Sequence, residues 1–113
     1  MSDLKERDIE RHLVNRVKEL GGEVRKVQWV GRRGAPDRLV MLPEQRKRVR
    51  HDGPWGTRYY DRLVSSARTV WVELKAPGKK PEPHQLREHN RMRAMGQRVE
   101  VIDSIEGIEE LLK

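Results

Sequence analysis

The sequence predicts one α/β domain, and three observations carry the prediction. Apolar residues recur at helical spacing over the first twenty positions. Short valine-rich runs further on alternate in strand fashion. The whole chain is 113 residues, enough for one compact core and too few for two. Read in order, the elements are α-β-β-β-α-β-α, without internal repeat or low-complexity tract.

The first helix is predicted from about Leu4 to Leu20. Asp3 and Glu6 have capping-box spacing, and Gly21-Gly22 supplies the stop. Ile9, Leu13, Val17 and Leu20 share one face. Glu10 lies within that face, so it needs a partner, because an unpaired buried carboxylate is costly. A first strand is expected over Glu23 to Val30, and a second begins at Pro36 and continues through Asp37 to Leu42. Proline is well tolerated at the first position of a strand. The third, Thr69 to Lys75, sets Val70, Val72 and Leu74 on one face and Trp71, Glu73 and Lys75 on the other.

Between the second and third strands, Pro43 to Ser66 is too long for a structureless connection in a small domain. It reads as an extended hairpin or insertion turning near Asp52-Gly53-Pro54. Within it lie Arg46, Lys47, Arg48, Arg50, Arg58 and Arg62, together with Trp55, Tyr59 and Tyr60. Such a segment suits either DNA contact or a dimer arm. After the loop Ala76 to Pro81, a helix starts at Glu82 or Pro83 and ends at Gly96. Arg98 to Asp103 is the fourth strand, and Asp103 or Ser104 caps a final helix bearing Ile105, Ile108, Leu111 and Leu112.

Composition narrows the function. Hydrophobic residues are 35% and charged residues 38%, so the core is thin and a second subunit is expected. A net charge of +7 favours acidic partners, nucleic acid or an anionic membrane. No apolar run approaches the ~20 residues that span a bilayer, and the polar start lacks a signal-peptide apolar region. Absence of cysteine excludes disulfides, thiol catalysis and cysteine-ligated zinc. The four histidines, His12, His51, His84 and His89, lack zinc-ligand spacing. His84 and His89 are expected on a solvated or phosphate-facing side of their helix. A soluble protein of the cytoplasm, bacterial or of a phage-infected host cell, is the expectation.

Glu10, then Pro36-Asp37, then Glu73-Leu74-Lys75, in this order, resemble the PD-(D/E)XK nuclease superfamily. Within it, Gly31-Arg32-Arg33-Gly34-Ala35-Pro36-Asp37-Arg38 is similar to the VRR-NUC family. So is Val72-Glu73-Leu74-Lys75-Ala76-Pro77-Gly78-Lys79-Lys80, followed by Gln85. The likeness runs from the first helix to the last, apart from the insertion at about 43–68, and is greatest to stand-alone phage-type members. It implies a restriction-endonuclease-like core with a central mixed sheet flanked by helices. It also implies a metal-dependent DNA endonuclease acting on four-way (Holliday) junctions as a homodimer, with the Leu74 carbonyl as a further metal ligand.

The residue types agree with that chemistry. Glu73 and Lys75, two apart on a strand, point to one side, and Asp37 on the neighbouring strand can share a metal with Glu73. Hard oxygen donors without cysteine suit Mg²⁺ or Mn²⁺. Lys75 would orient or deprotonate water and stabilise developing negative charge. Glu10 would complete the shell directly or through water, or else form a helix-edge pair with Arg7 or Arg11. Gln85 would position a phosphate or the nucleophile, or else cap its helix. Arg32, Arg33, Arg38, Lys79 and Lys80 surround these groups and are the expected phosphate contacts. The rival readings are a nonspecific or flap-type nuclease with the same site, and a catalytically silent DNA-binding module.

Overall fold

A computed structural model describes residues 4–113. Helix α1 runs Glu6–Glu19 and buries Ile9, Leu13 and Val17, the stripe expected from their spacing. The proposed cap at Asp3 lies outside the described residues. The helix begins from Lys5, whose backbone N–H donates to the Asp8 carboxylate at 2.9 Å. The chain then forms β1 (Glu23–Lys26) and β2 (Arg38–Leu42). A long hairpin follows, β3 (Gln45–Gly53) and β4 (Gly56–Ser65). Next come β5 (Arg68–Leu74), α2 (Pro83–Ala94), β6 (Val99–Ile102) and α3 (Ile105–Leu111).

Four strands make a mixed sheet in the order β1-β2-β5-β6. The pairs β1–β2 and β2–β5 are antiparallel, whereas β5–β6 is parallel. The antiparallel neighbours are joined through turns and the hairpin. The parallel pair needs a crossover, and α2 supplies it. One face of the sheet holds the main core, where Val40, Leu42, Val70, Val72, Leu74 and Ile102 meet α1 and α3. The other face is covered by α2 and is more polar, since the buried residues of that helix are Glu88, His89 and Met92.

Two strand boundaries differ from expectation by more than one residue. β1 stops at Lys26 rather than Val30, because the chain bends there to bring Trp29 inward. The Trp29 indole donates to the Pro36 carbonyl at 2.8 Å and packs at a tilt against Trp71, with ring centroids 5.2 Å apart. Pro36 itself is buried and precedes β2 instead of opening it. Ser104 is the cap of α3, its hydroxyl accepting from the Gly107 N–H at 3.0 Å.

The insertion is a two-stranded sheet separate from the main one, turning at Pro54-Trp55, beside the expected Asp52-Gly53-Pro54. It packs chiefly on itself and extends the molecule to 62 Å along its longest axis. The radius of gyration is 18.0 Å, against about 13 Å for a compact chain of this length.

Candidate active site

The β2–β5 register builds the site. The ladder ends with Arg38 paired to Val72, and continuing its register by one residue sets Asp37 against Glu73, whose carboxyl feels the Asp37 charge. Opposed residues of an antiparallel pair present side chains to the same face. Lys75 follows Glu73 by two and shares that side of the strand. Its backbone N–H still bonds the Ile102 carbonyl at 2.9 Å, so it is held at the end of β5 by the parallel neighbour. Asp37 is likewise fixed by its backbone, its carbonyl accepting from the Val27 N–H at 2.9 Å. Asp37 is open to solvent and borders a cleft of about 420 Å³ lined by Lys26, Val27, Gln28, Asp37 and Arg38.

Glu73 is the buried partner, 9% exposed. Burial pushes its carboxyl up to about 7, and the facing Asp37 charge adds to the rise. Lys75 and Arg38 oppose the shift without cancelling it, and Glu6 reinforces it. A buried carboxyl whose proton affinity is raised by burial and by a facing carboxylate marks a site short of positive charge. A divalent cation would answer that deficit. Among the described residues, no group of three His, Cys, Asp or Glu is gathered to hold a metal. Mg²⁺ does not require one, because it commonly keeps several waters and takes one or two carboxylates.

Around this pair the structure assigns partners that local spacing did not reveal. Glu10 is bound by Arg38 at 2.8 Å and lies 3.8 Å from Lys26, rather than pairing with Arg7 or Arg11 on its own helix. Arg38 also reaches Asp37 at 3.0 Å, so one guanidinium bridges Glu10 and Asp37. The first-helix carboxylate whose charge is felt at Glu73 is Glu6, one turn before Glu10. The i, i+4 spacing of Glu6 and Glu10 was the signal for it.

His89 corrects an expectation. It is fully buried, not solvated, and its Nε2 is 3.4 Å from Glu73 Oε1. Neither ring nitrogen has a hydrogen-bond partner. Burial, with the positive charges of Arg93 and Lys75, holds the imidazole below its ordinary range and hence neutral. Gln85, His89 and Met92 recur at i, i+4 and i+7, a helical stripe that the sequence displays.

Gln85 closes the N-terminus of α2, its Oε1 accepting the Glu82 N–H at 2.8 Å. That end of the helix is pressed against the loop before Asp37. Gly34, at φ +86°, lies so close that a Cβ there would come 2.8 Å from the His84 carbonyl oxygen. Of the five expected phosphate contacts, Arg38 is committed to Glu10 and Asp37. Arg32 lies 3.7 Å from the buried Glu88, which Arg91 also holds at 2.7 Å. Arg33, Lys79 and Lys80 are exposed, with no ion-pair partner among the described residues.

No model of a known protein family matches the chain. It is 42% identical over 101 residues to "Putative nuclease p44" of Acyrthosiphon pisum secondary endosymbiont phage 1, covering 89% of this chain and 85% of that one. A solved structure described as a VRR_NUC domain superposes with a TM-score of 0.67 at 34% identity, spanning 95% of this chain and 92% of the other. The chain belongs to the VRR-NUC nuclease family. The mixed sheet flanked by helices is the restriction-endonuclease-like fold of that family. In this VRR-NUC chain, Asp37, Glu73 and Lys75 come together at one end of β2 and β5. Among the described residues, Glu10 is linked to Asp37 through Arg38. No helix among the described residues is long and apolar enough to cross a membrane.

Proposed function

We propose that this VRR-NUC protein is a Mg²⁺- or Mn²⁺-dependent DNA endonuclease that hydrolyses phosphodiesters in branched DNA, four-way junctions above all, as a homodimer. The observation that carries the catalytic reading is the buried Glu73 carboxyl feeling the charges of both Asp37, just before β2, and Lys75, just after β5. Asp37, Glu73 and the Leu74 carbonyl would hold the ion. When bound, such an ion neutralises charge on the scissile phosphate and makes water a better nucleophile near neutral pH.

The protein's own groups do the rest. Lys75 orients the attacking water and stabilises negative charge developing on the phosphate oxygens. Arg38, anchored by Glu10, fixes Asp37 in an outward pose; Glu10 thus positions a ligand instead of serving as one. His89 packs beneath Glu73, its Nε2 3.4 Å from the inner carboxylate oxygen. Gln85 spends its carbonyl on the helix cap, leaving its amide NH₂ as a donor to phosphate. Arg33, Lys79 and Lys80 grip the strand on either side, with Arg32 sharing its charge with Glu88.

Junction preference and dimerisation rest on the family likeness, on the thin core and on the two strands that a four-way junction presents. The phage relative is the ground for placing the activity in the cytoplasm of a bacterial or infected host cell. The test is cleavage of junction, flap, nicked and linear duplex substrates with Mg²⁺ by the unaltered protein, Asp37→Ala and Glu73→Ala. Both variants should lose cutting. Wild-type rates from either would overturn the site, preference for linear duplex would overturn the junction reading, and a strict monomer by light scattering would remove paired cleavage.

A further inference from the structure

We infer that one face of the β3–β4 hairpin is a DNA-binding surface, laid across a duplex arm of the substrate and gripping phosphates on both strands. This rests on DNA as the substrate of the proposed function and locates a contact outside the catalytic cleft. The register divides the ribbon into two faces. Arg46 opposite Leu63, Arg48 opposite Asp61, Arg50 opposite Tyr59 and Asp52 opposite Thr57 lie on one. Lys47 opposite Arg62, Val49 opposite Tyr60 and His51 opposite Arg58 lie on the other.

The first face is internally satisfied. Arg46 pairs with Glu44 at 2.8 Å and Arg50 with Asp52 at 3.0 Å, while Arg48 stacks over Tyr59 with its Cζ 4.3 Å from the ring centroid. The second face carries no acidic residue. Lys47, Arg58 and Arg62 are exposed and have no hydrogen-bond or ion-pair partner among the described residues. Two cationic poles therefore flank the half-exposed Tyr60, one at Lys47 and Arg62 and the other at Arg58 and His51.

Four residues of strand separate those poles by about 13 Å. A major groove is about 12 Å wide and admits a two-stranded ribbon. The spacing thus suits phosphates on opposite sides of that groove. The same charges disfavour a second copy of this face as the occupant, because a twofold contact would oppose like cations without a counter-charge.

The test measures anisotropy of a labelled duplex and a labelled four-way junction against salt in EDTA, using the full chain. Lys47→Gln/Arg58→Gln/Arg62→Gln should weaken binding at least ~10-fold and shrink the slope of log affinity against log salt by about 2–3, from roughly 0.9 per phosphate contact. Arg46→Gln/Arg48→Gln/Arg50→Gln should leave the slope within about one unit. Circular dichroism and retained cleavage of saturating substrate show that both variants fold. An unchanged slope in the first variant, or equal losses from both, overturns the inference. So does a change of oligomeric state at constant slope, which would make the hairpin a dimer arm. Absence of salt-sensitive DNA binding by the unaltered protein overturns this inference and the proposed function together.

Discussion

Glu73→Gln should make the metal-free protein more stable at alkaline pH while abolishing its chemistry. The carboxyl lies at 9% exposure and is pushed from an ordinary 4.5 to about 7, first by burial and then by Asp37. A carboxylate whose folded value exceeds its unfolded one binds more protons when folded, so stability falls as pH rises through that interval. One pKa unit is worth about 1.4 kcal/mol, so the ionised group costs the fold on the order of 3 kcal/mol above pH 7. Glutamine keeps the shape and removes the charge. Urea unfolding in EDTA from pH 4.5 to 8 should show the two proteins nearly equal at the acid end. The variant should be ahead by up to about 3 kcal/mol at pH 8. His89 titrates with the opposite sign, its lowered folded value giving stability that rises with pH, so the reading is the difference between the two proteins. Mg²⁺ should raise wild-type stability at pH 8 and leave the variant unmoved. Parallel pH profiles, or a variant less stable at pH 8, would refute this account of the site as a charge-deficient pair.

Lys75→Ala should lower cleavage by about 100-fold or more with DNA affinity nearly unchanged, since general acid–base help is worth about 10²–10⁴; single-turnover rates at saturating enzyme give the reading. Gly34→Ala should lose about 1–3 kcal/mol by denaturation and slow cutting, because a left-handed backbone and the His84 carbonyl both oppose a side chain. Gly31→Ala, at φ +74° with open space around it, should bear the conformational part alone. Glu109 is held below the ordinary carboxylate range, mainly by its hydrogen bond from Arg16 and then by His12. That stability is present above the unfolded value and lost as pH falls through the depressed one. Glu109→Gln should accordingly flatten the acid limb of a thermal-melt profile, and an unchanged limb would count against the α1–α3 link.

Much of this arrangement is visible in the residues. Period-two alternation places Glu73 and Lys75 on one side of β5, and proline and glycine punctuation locate the hairpin. What escapes local reading is partner choice across the fold. Glu10 has Arg7 one turn back on its own helix, yet its partner comes from 28 residues away on β2. Packing of α1 on the sheet sets that contact, and periodicity along α1 contains no trace of β2. His89 reads as polar and therefore solvated, but the stripe it shares with Gln85 and Met92 turns it beneath Glu73. Trp29 extends a strand pattern that its own indole then ends by reaching for Pro36.

The base of the hairpin has a consequence of another kind. Leu42 and Arg68 form the last β2–β5 pair, so the two ends of the arm emerge side by side. A short turn could join them there without shifting any residue of the main sheet. Closure entropy grows only slowly with loop length, so an arm of this size can be gained, traded or lost with little effect on the core. The hairpin is thus a detachable module on a constant hydrolytic chassis. A lineage of such proteins could change the substrates it handles by exchanging that one segment.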